Sequence, residues 1–214
     1  MLANEVMLSS YDQLQVALSV LIAVSASYAA LDLAGRVTAA RGLTRSAWLT
    51  GGAVSMGIGI WAMHFKGMLA FRLPVSVAYH WPTVLLSLVV AILASAFALY
   101  VVSRQKLGLV EALTGSVIMG GGIAGMHYIG MAAMRLPAIT RFSLLLVIFS
   151  ILLAVLFSLL ALQLAFDLRE ETRWSVPRRL GSATLMGVAV SAMHTPVWLP
   201  QVSYPALLRT YPML

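Results

Sequence analysis

Six long apolar stretches, separated by short polar segments, constrain the fold of this chain more than any other feature. They cover residues 14–34, 47–69, 83–103, 109–133, 142–166 and 180–198. A helix of about 20 residues spans the hydrocarbon core of a bilayer, and lipid admits only helices and closed barrels. The stretches lack the polar–apolar alternation of barrel strands. The sequence therefore predicts an all-α transmembrane protein with six helices.

Composition agrees with a membrane protein. Of 214 residues, 61% are hydrophobic and 10% are charged, a balance that a fully hydrated surface could not accommodate. Cysteine is absent, which excludes disulfides and Cys-ligated metal. The first twelve residues contain Glu5 and Asp12 but no Lys or Arg, so a cleavable signal peptide is not expected.

The distribution of basic residues predicts the orientation. One set of connections carries Arg36, Arg41, Arg45, Arg104, Lys106, Arg169, Arg173, Arg178 and Arg179, and the opposite side carries Lys66, Arg72, Arg135, Arg141 and Arg209. The positive-inside rule places the first set in the cytoplasm and both termini outside. Cations in short loops beside apolar helices bind anionic lipid headgroups. The net charge of +7 therefore needs no nucleic-acid partner.

A Met-Gly and Met-His element recurs in register in the second, fourth and sixth stretches. The copies are Met56-Gly57 to Met63-His64, Met119-Gly120 to Met126-His127, and Met186-Gly187 to Met193-His194. Each repeat contains two crossings, so the three repeats run parallel and predict a pseudo-threefold arrangement about the membrane normal. The predicted single domain covers residues 1–214, with repeats at about 14–81, 82–141 and 142–205. All three histidines are expected at one depth, near the outer face.

The donor types in this element favour copper. His64 and Met68 share a helix face, as do His127 and Met131, because each pair is four residues apart. Thioether sulfur binds Cu(I) well, and imidazole accepts copper or zinc. An intramembrane histidine also suggests a function by default. The alternative is structural: methionine fills helix interfaces, and a histidine near the membrane surface can be satisfied by backbone or headgroups.

The segment Met126-His127-Tyr128 with Gly130-Met131 resembles the signature of the MHYT family of bacterial integral-membrane sensor domains. The resemblance implies that outer-face Met-His-Tyr elements bind copper and sense oxygen, carbon monoxide or nitric oxide. The implied ligands are Met63, His64, Met68, Met126, His127, Tyr128, Met131, Met193 and His194. Phe65 replaces the tyrosine in the first copy, and Thr195-Pro196 follows His194 in the third.

The family resemblance also implies a location and an output. Members commonly continue into a cytoplasmic domain that makes or degrades cyclic diguanylate, so the chain is expected in the bacterial inner membrane with its histidines on the periplasmic side. Whether it acts alone or within a longer receptor stays open. No Ser/His/Asp or paired-carboxylate arrangement is evident, so an enzyme is not expected. A haem-binding redox protein and a transport or structural membrane module are the alternatives.

Overall fold

The computed structural model describes residues 10–72, 74–136, 139–141, 143–169, 176–192 and 201–203. This part of the chain contains six helices, one in each predicted stretch. They are α1 Gln13–Ala39, α2 Gly42–Ala70, α3 Trp81–Val102, α4 Leu109–Ala132, α5 Leu144–Leu168 and α6 Val176–Ala192. Within the described residues, α1, α3, α4 and α5 are long and apolar enough to cross a membrane. The chain is a multi-pass all-α membrane protein, as predicted.

The first two helices extend beyond their predicted apolar stretches. α1 continues to Ala39 and α2 begins at Gly42, because a helix can continue past the hydrocarbon core when its last turns are polar. Arg36 pairs with Asp32 one turn earlier on α1, at 2.6 Å. The tight connection between the helices relies on Gly42, whose φ of +56° lies in the region that favours glycine. The apolar stretches thus marked the hydrocarbon core rather than the helix ends.

Close backbone contacts determine how the helices pack. α1 to α5 each lie beside the next helix, and α6 packs against α1. The glycines of the three Met-Gly pairs are Gly57, Gly120 and Gly187. A Cβ added to them would lie 2.7 Å from Ile92 Cα, 2.6 Å from Val155 Cα and 2.7 Å from Val24 Cα, respectively. Small residues allow such approaches in membranes, where lipid removes the hydrophobic drive between helices.

Three short antiparallel strand pairs lie at one end of the bundle, and the sequence analysis did not predict them. β1 Ser10–Tyr11 pairs with β2 Phe71–Arg72, β3 Ala78–Tyr79 with β4 Met134–Arg135, and β5 Ile139–Arg141 with β6 Gln201–Ser203. Strands of two or three residues are too short to show an alternating pattern. Each pair joins the segment before an odd-numbered helix to the segment after the next even-numbered helix, and so closes a two-helix hairpin.

Asp12 links the start of α1 to the end of α2 at this end of the bundle. Its carboxylate accepts hydrogen bonds from the backbone N–H groups of Leu14 at 3.0 Å and Gln15 at 3.3 Å, which caps the helix. The Arg72 guanidinium donates to the other carboxylate oxygen at 2.5 Å. This hydrogen bond from Arg72 is the main reason that the pKa of Asp12 lies below its usual value.

The substitution Asp12→Asn should lower the thermal unfolding midpoint at pH 7, because asparagine keeps the helix cap but lacks the negative charge that pairs with Arg72. The folded state lowers the pKa of Asp12, so the pair stabilises the fold at neutral pH and is lost as pH falls through that lowered pKa. The difference between wild type and variant should therefore narrow as the pH falls below the usual aspartate pKa of about 3.9. A difference that is constant from neutral to acid pH would contradict this assignment.

The substitution Gly120→Ala should destabilise the bundle by about 1–3 kcal/mol, the usual effect of overpacking. The added Cβ would lie 2.6–2.9 Å from backbone atoms of Val155 and Ala154, which cannot move independently of α5. Gly121→Ala is the matched control, because nothing lies within 4 Å of its added Cβ. Unfolding by titration with a denaturing detergent compares the two. Equal midpoints would show that α4 and α5 do not meet at Gly120.

Candidate metal centre

Two histidines from different helices meet in the interior. His64 on α2 and His127 on α4 have their Nδ1 atoms 3.3 Å apart, and their rings are in edge contact with centroids 4.8 Å apart. His64 is fully buried and His127 is partly buried. These two residues, the histidine pair, confirm that equivalent positions of the first two repeats lie at the same depth. The end of the bundle near them is called the histidine end.

Gly130 creates the space in which the histidine pair forms. A Cβ on this residue would lie 2.5 Å from His64 Nε2 and 3.0 Å from His64 Cδ2. The buried ring of His64 therefore rests directly against the backbone of α4, one turn after His127. The glycine in the sequence Met-His-Tyr-x-Gly-Met is thus part of the site, because it admits the histidine of the preceding repeat.

Four methionines predicted as ligands are buried on the same two helices. Met63 and Met126 directly precede the histidines and are 1% and 0% exposed. Met68 and Met131 lie four residues after the histidines and are also buried. Burial removes these thioethers from water and leaves them as soft, neutral groups in the helix interfaces. α2 and α4, the helices that bring the two imidazoles together, therefore both carry buried thioether donors.

The Tyr128 side chain connects the histidine pair to α5. Its hydroxyl lies 2.6 Å from Ser150 Oγ, and Ser150 donates its own proton to the Val147 carbonyl at 2.8 Å. Tyr128 is therefore the donor to Ser150. The Tyr128 ring also meets the His127 ring edge to face, with centroids 5.0 Å apart. The predicted oxygen ligand is thus hydrogen-bonded to a neighbouring helix while its ring supports the imidazole.

The first repeat makes a similar interhelix contact with a different aromatic residue. Phe65 occupies the tyrosine position and has no hydroxyl, but Trp61 one turn earlier donates from Nε1 to Ser87 Oγ at 3.1 Å. Ser87 donates in turn to the Val84 carbonyl at 2.7 Å. The Phe65 ring packs on Trp61, with centroids 4.9 Å apart. An aromatic donor on the even-numbered helix thus reaches a serine on the next odd-numbered helix in both repeats.

Buried serines of the odd-numbered helices were missed by the sequence reasoning. Each of α1, α3 and α5 carries two of them. The set near the histidine end is Ser19, Ser87 and Ser150, and the set that lies deeper is Ser27, Ser95 and Ser158. Ser19 donates to the backbone carbonyl of Met63 at 2.8 Å, which joins α1 to α2 beside His64. Both sets recur at the same spacing in the sequence, so a search for repeats in the odd-numbered stretches would have found them.

The third repeat contributes less to this description. Met193 and His194 lie outside the described residues, so their predicted position beside the histidine pair stays a prediction. Within the described part of the chain, no group of three or more His, Asp or Glu side chains is placed to hold a metal ion. The described candidate centre consists of two imidazoles and the neighbouring thioethers.

Comparison with known proteins relates this chain to bacterial signalling proteins. The MHYT family, described as "Bacterial signalling protein N terminal repeat", matches residues 57–115 and 120–179. "Bifunctional diguanylate cyclase/cyclic di-GMP phosphodiesterase MucR" of Pseudomonas aeruginosa is 49% identical over 88% of this chain and 27% of its own length. "Signaling protein YkoW" of Bacillus subtilis is 37% identical over 86% of this chain and 23% of its own length. "Cyclic di-GMP phosphodiesterase NbdA" of Pseudomonas aeruginosa is 38% identical over 86% of this chain and 24% of its own length.

The chain thus spans about a quarter of the length of these curated relatives. No solved structure matches it.

Substitution of Gly130 should disturb the site more than substitution of its repeat equivalent Gly67. A Cβ at Gly130 would overlap the buried His64 ring, whereas one at Gly67 would lie 3.6 Å from Ser19 Oγ, an ordinary contact. Gly130→Ala should therefore lower the free energy of unfolding by about 1–3 kcal/mol, and Gly67→Ala should change it little. Thermal unfolding in one detergent measures both variants. A larger effect at Gly67 would be inconsistent with His64 resting against α4.

Proposed function

Because the chain belongs to the MHYT family of bacterial signalling proteins, we propose that it is a sensory membrane domain that binds copper and detects a diatomic gas. The gas would be oxygen, carbon monoxide or nitric oxide. The observation that carries the proposal is the separation of 3.3 Å between the Nδ1 atoms of His64 and His127. The pair lies on the two helices that also carry the buried methionines.

The residues present fit a copper ion. Two imidazole nitrogens bound to one tetrahedral ion at about 2.0 Å lie roughly 3.3 Å apart, which matches the observed separation. The surrounding donors are neutral nitrogen and sulfur, a set that suits Cu(I). His64 and His127 would hold the ion, and its remaining positions would be drawn from Met63, Met68, Met126 and Met131 and, in the third repeat, from Met193 and His194. Bound copper would supply a coordination position for the gas.

The geometry of the pair suggests what its protons do. At 3.3 Å, one imidazole can donate its Nδ1–H to the Nδ1 lone pair of the other. A cation between these atoms would take the place of that proton, which would move to Nε2 of the same ring. Metal binding would weaken in acid, because a protonated imidazole has no free lone pair for the metal. Zinc meets the same requirement, whereas a haem held between two axial histidines would need its macrocycle between rings that are in direct edge contact.

Coupling to the rest of the bundle would run through the packed helices. The histidine pair joins α2 to α4, and the hydrogen bond from Tyr128 to Ser150 joins α4 to α5. A ligand that changes the separation of the imidazoles would favour a different packing of these helices, as a population shift requires. Gly130 leaves little free space beside the His64 ring. A change at the pair would therefore be passed to the helices.

We also propose the pseudo-threefold arrangement of a single domain with parallel repeats. Equivalent glycines of the three even-numbered helices each contact the next odd-numbered helix, and a strand pair closes each hairpin at the same end. Both observations support equivalent positions for the repeats about an axis along the membrane normal. His194 would then lie at the depth of His64 and His127.

The output proposed for this domain is cyclic diguanylate signalling in the cytoplasm. Two of the relatives are named for enzymes that make or degrade this nucleotide, and this chain covers about a quarter of each. The chain itself would act without catalysis, as a lipid-embedded sensor in the inner membrane with its histidine end at the periplasmic face. Metal or gas occupancy would bias the helices that connect to the output protein or domain.

The double substitution His64→Ala/His127→Ala should remove the copper held by the histidine pair, so that the purified full chain binds about one ion fewer than wild type after loading with Cu(I). The control is His80→Ala, because His80 lies in a loop and contacts Thr83 at 2.8 Å. Elemental analysis gives the metal content, and His127→Ala alone keeps the test available if loss of the buried His64 prevents folding. Copper content equal to wild type in the double variant would refute the metal site.

Two spectra test the remaining parts of the proposal. Carbon monoxide added without oxygen should give a metal-bound C–O stretch in the infrared spectrum of the copper-loaded wild type and none in the double variant. Absence of that band, with copper present, would refute the gas-detection part of the proposal and leave the metal-binding part standing. An intense haem absorption band on the purified protein would overturn the copper assignment.

A further inference from the structure

Two apolar cavities lie one above the other inside the helix bundle. The upper cavity, about 50 Å³, reaches Met63 near the histidine end, and the lower one, about 30 Å³, reaches Val102 and Ala165 toward the opposite end. Three methionines line both cavities, one each from α2, α4 and α6; they are Met56, Met119 and Met186. These three residues, the methionine layer, therefore lie at the level where the cavities adjoin.

The repeat itself explains why these methionines converge. Each is followed by the glycine that packs against the next odd-numbered helix. Consecutive helical residues differ by about 100° in direction, so the same glycine contact gives each methionine the same direction relative to its neighbours. All three side chains accordingly reach the same cavities.

Space filling alone does not account for this layer. Methionine is the residue that closes irregular gaps in apolar cores, yet cavities remain on both sides of these three side chains. Each cavity exceeds the roughly 10–15 Å³ that one water-sized probe needs. The three flexible side chains therefore have room to change rotamer and to close around a small guest.

The lining selects the chemistry of that guest. In the lining described for the two cavities, thioethers and Ser27 supply the side-chain heteroatoms, and no carboxylate or imidazole contributes. Hard cations require oxygen ligands, whereas neutral sulfur donors favour a soft ion such as Cu(I). Burial in an apolar interior is more costly for a doubly charged ion than for a singly charged one. The lining therefore favours a soft monovalent cation.

We propose that the methionine layer is a second metal site, in which the sulfur atoms of Met56, Met119 and Met186 bind one Cu(I) or Ag(I) ion. Met56 precedes His64 by two helical turns and lies about 12 Å deeper along α2. The site is therefore separate from the histidine pair, and the proposal does not depend on copper or gas binding there.

The test is the triple substitution Met56→Leu/Met119→Leu/Met186→Leu. Leucine conserves the apolar volume, and such exchanges are usually tolerated, while it removes the sulfur donors. The full chain in detergent is dialysed against Ag(I), and bound silver is counted by elemental analysis. Wild type should hold one more silver ion per chain than the triple variant. The matched control, Met134→Leu, alters a half-buried methionine of β4 that lines neither cavity and should bind silver as wild type does.

A second set of variants separates the two sites. His64→Ala/His127→Ala should keep the silver ion of the methionine layer, and its X-ray absorption should show sulfur neighbours alone. Each single leucine substitution should weaken silver binding roughly tenfold or more, which keeps the test available if the triple variant does not fold.

Silver binding by the triple variant equal to wild type would overturn the proposal. Loss of all bound silver in the histidine variant would overturn it as well, because it would reveal one site instead of two. Failure of the histidine site alone would leave the silver ion of the methionine layer in place, so the two proposals can fail separately.

Discussion

The close approach of helix backbones at the Met-Gly pairs is the contact on which the other features depend. At Gly57, Gly120 and Gly187, a backbone atom of α3, α5 and α1, respectively, lies where a side chain would otherwise be. Lipid offers no hydrophobic drive for helix association, so van der Waals contact of this kind and interhelix hydrogen bonds hold the bundle together. Because these contacts fix the rotation and depth of α2, α4 and α6, they also fix the directions of Met56, Met119 and Met186 and of His64 and His127.

The histidine pair shows how this packing supplies a site. α2 and α4 both pack on α3 and meet each other only over a small area. Their approach at His64 and His127 therefore needs a local gap, and Gly130 provides it. Packed interiors do not deform continuously. A change in the separation of the two rings would consequently be passed to the helices instead of being absorbed around the pair. The hydrogen bond that Tyr128 donates to Ser150 extends that connection to α5.

The sequence predicted the helices and the level of the first two histidines better than it predicted their neighbours. Hydropathy located the six described helices, and the repeat spacing placed His64 and His127 at one depth. Both predictions depend only on the order of residues along the chain. Helix ends, the short strand pairs and the Tyr128–Ser150 hydrogen bond depend on which segments meet in space. The role of Gly130 was hidden for the same reason: its neighbour, His64, belongs to the preceding repeat. The buried serines could have been found, since their spacing is visible in the odd-numbered helices.

The unequal repeats indicate which part of the Met-His-Tyr element is structural. In the second repeat the tyrosine hydroxyl reaches Ser150, and in the first repeat, where Phe65 has no hydroxyl, the Trp61 indole reaches the equivalent Ser87. The feature common to both is an aromatic donor that ties an even-numbered helix to a serine on the next helix, not an oxygen atom beside the imidazole. For the proposed copper site, this contrast favours nitrogen and sulfur donors, because the tyrosine hydroxyl is already engaged in positioning the helices. The Tyr128 hydroxyl is thus used in the contact with α5, while its ring packs against the edge of His127, whose Nδ1 faces His64.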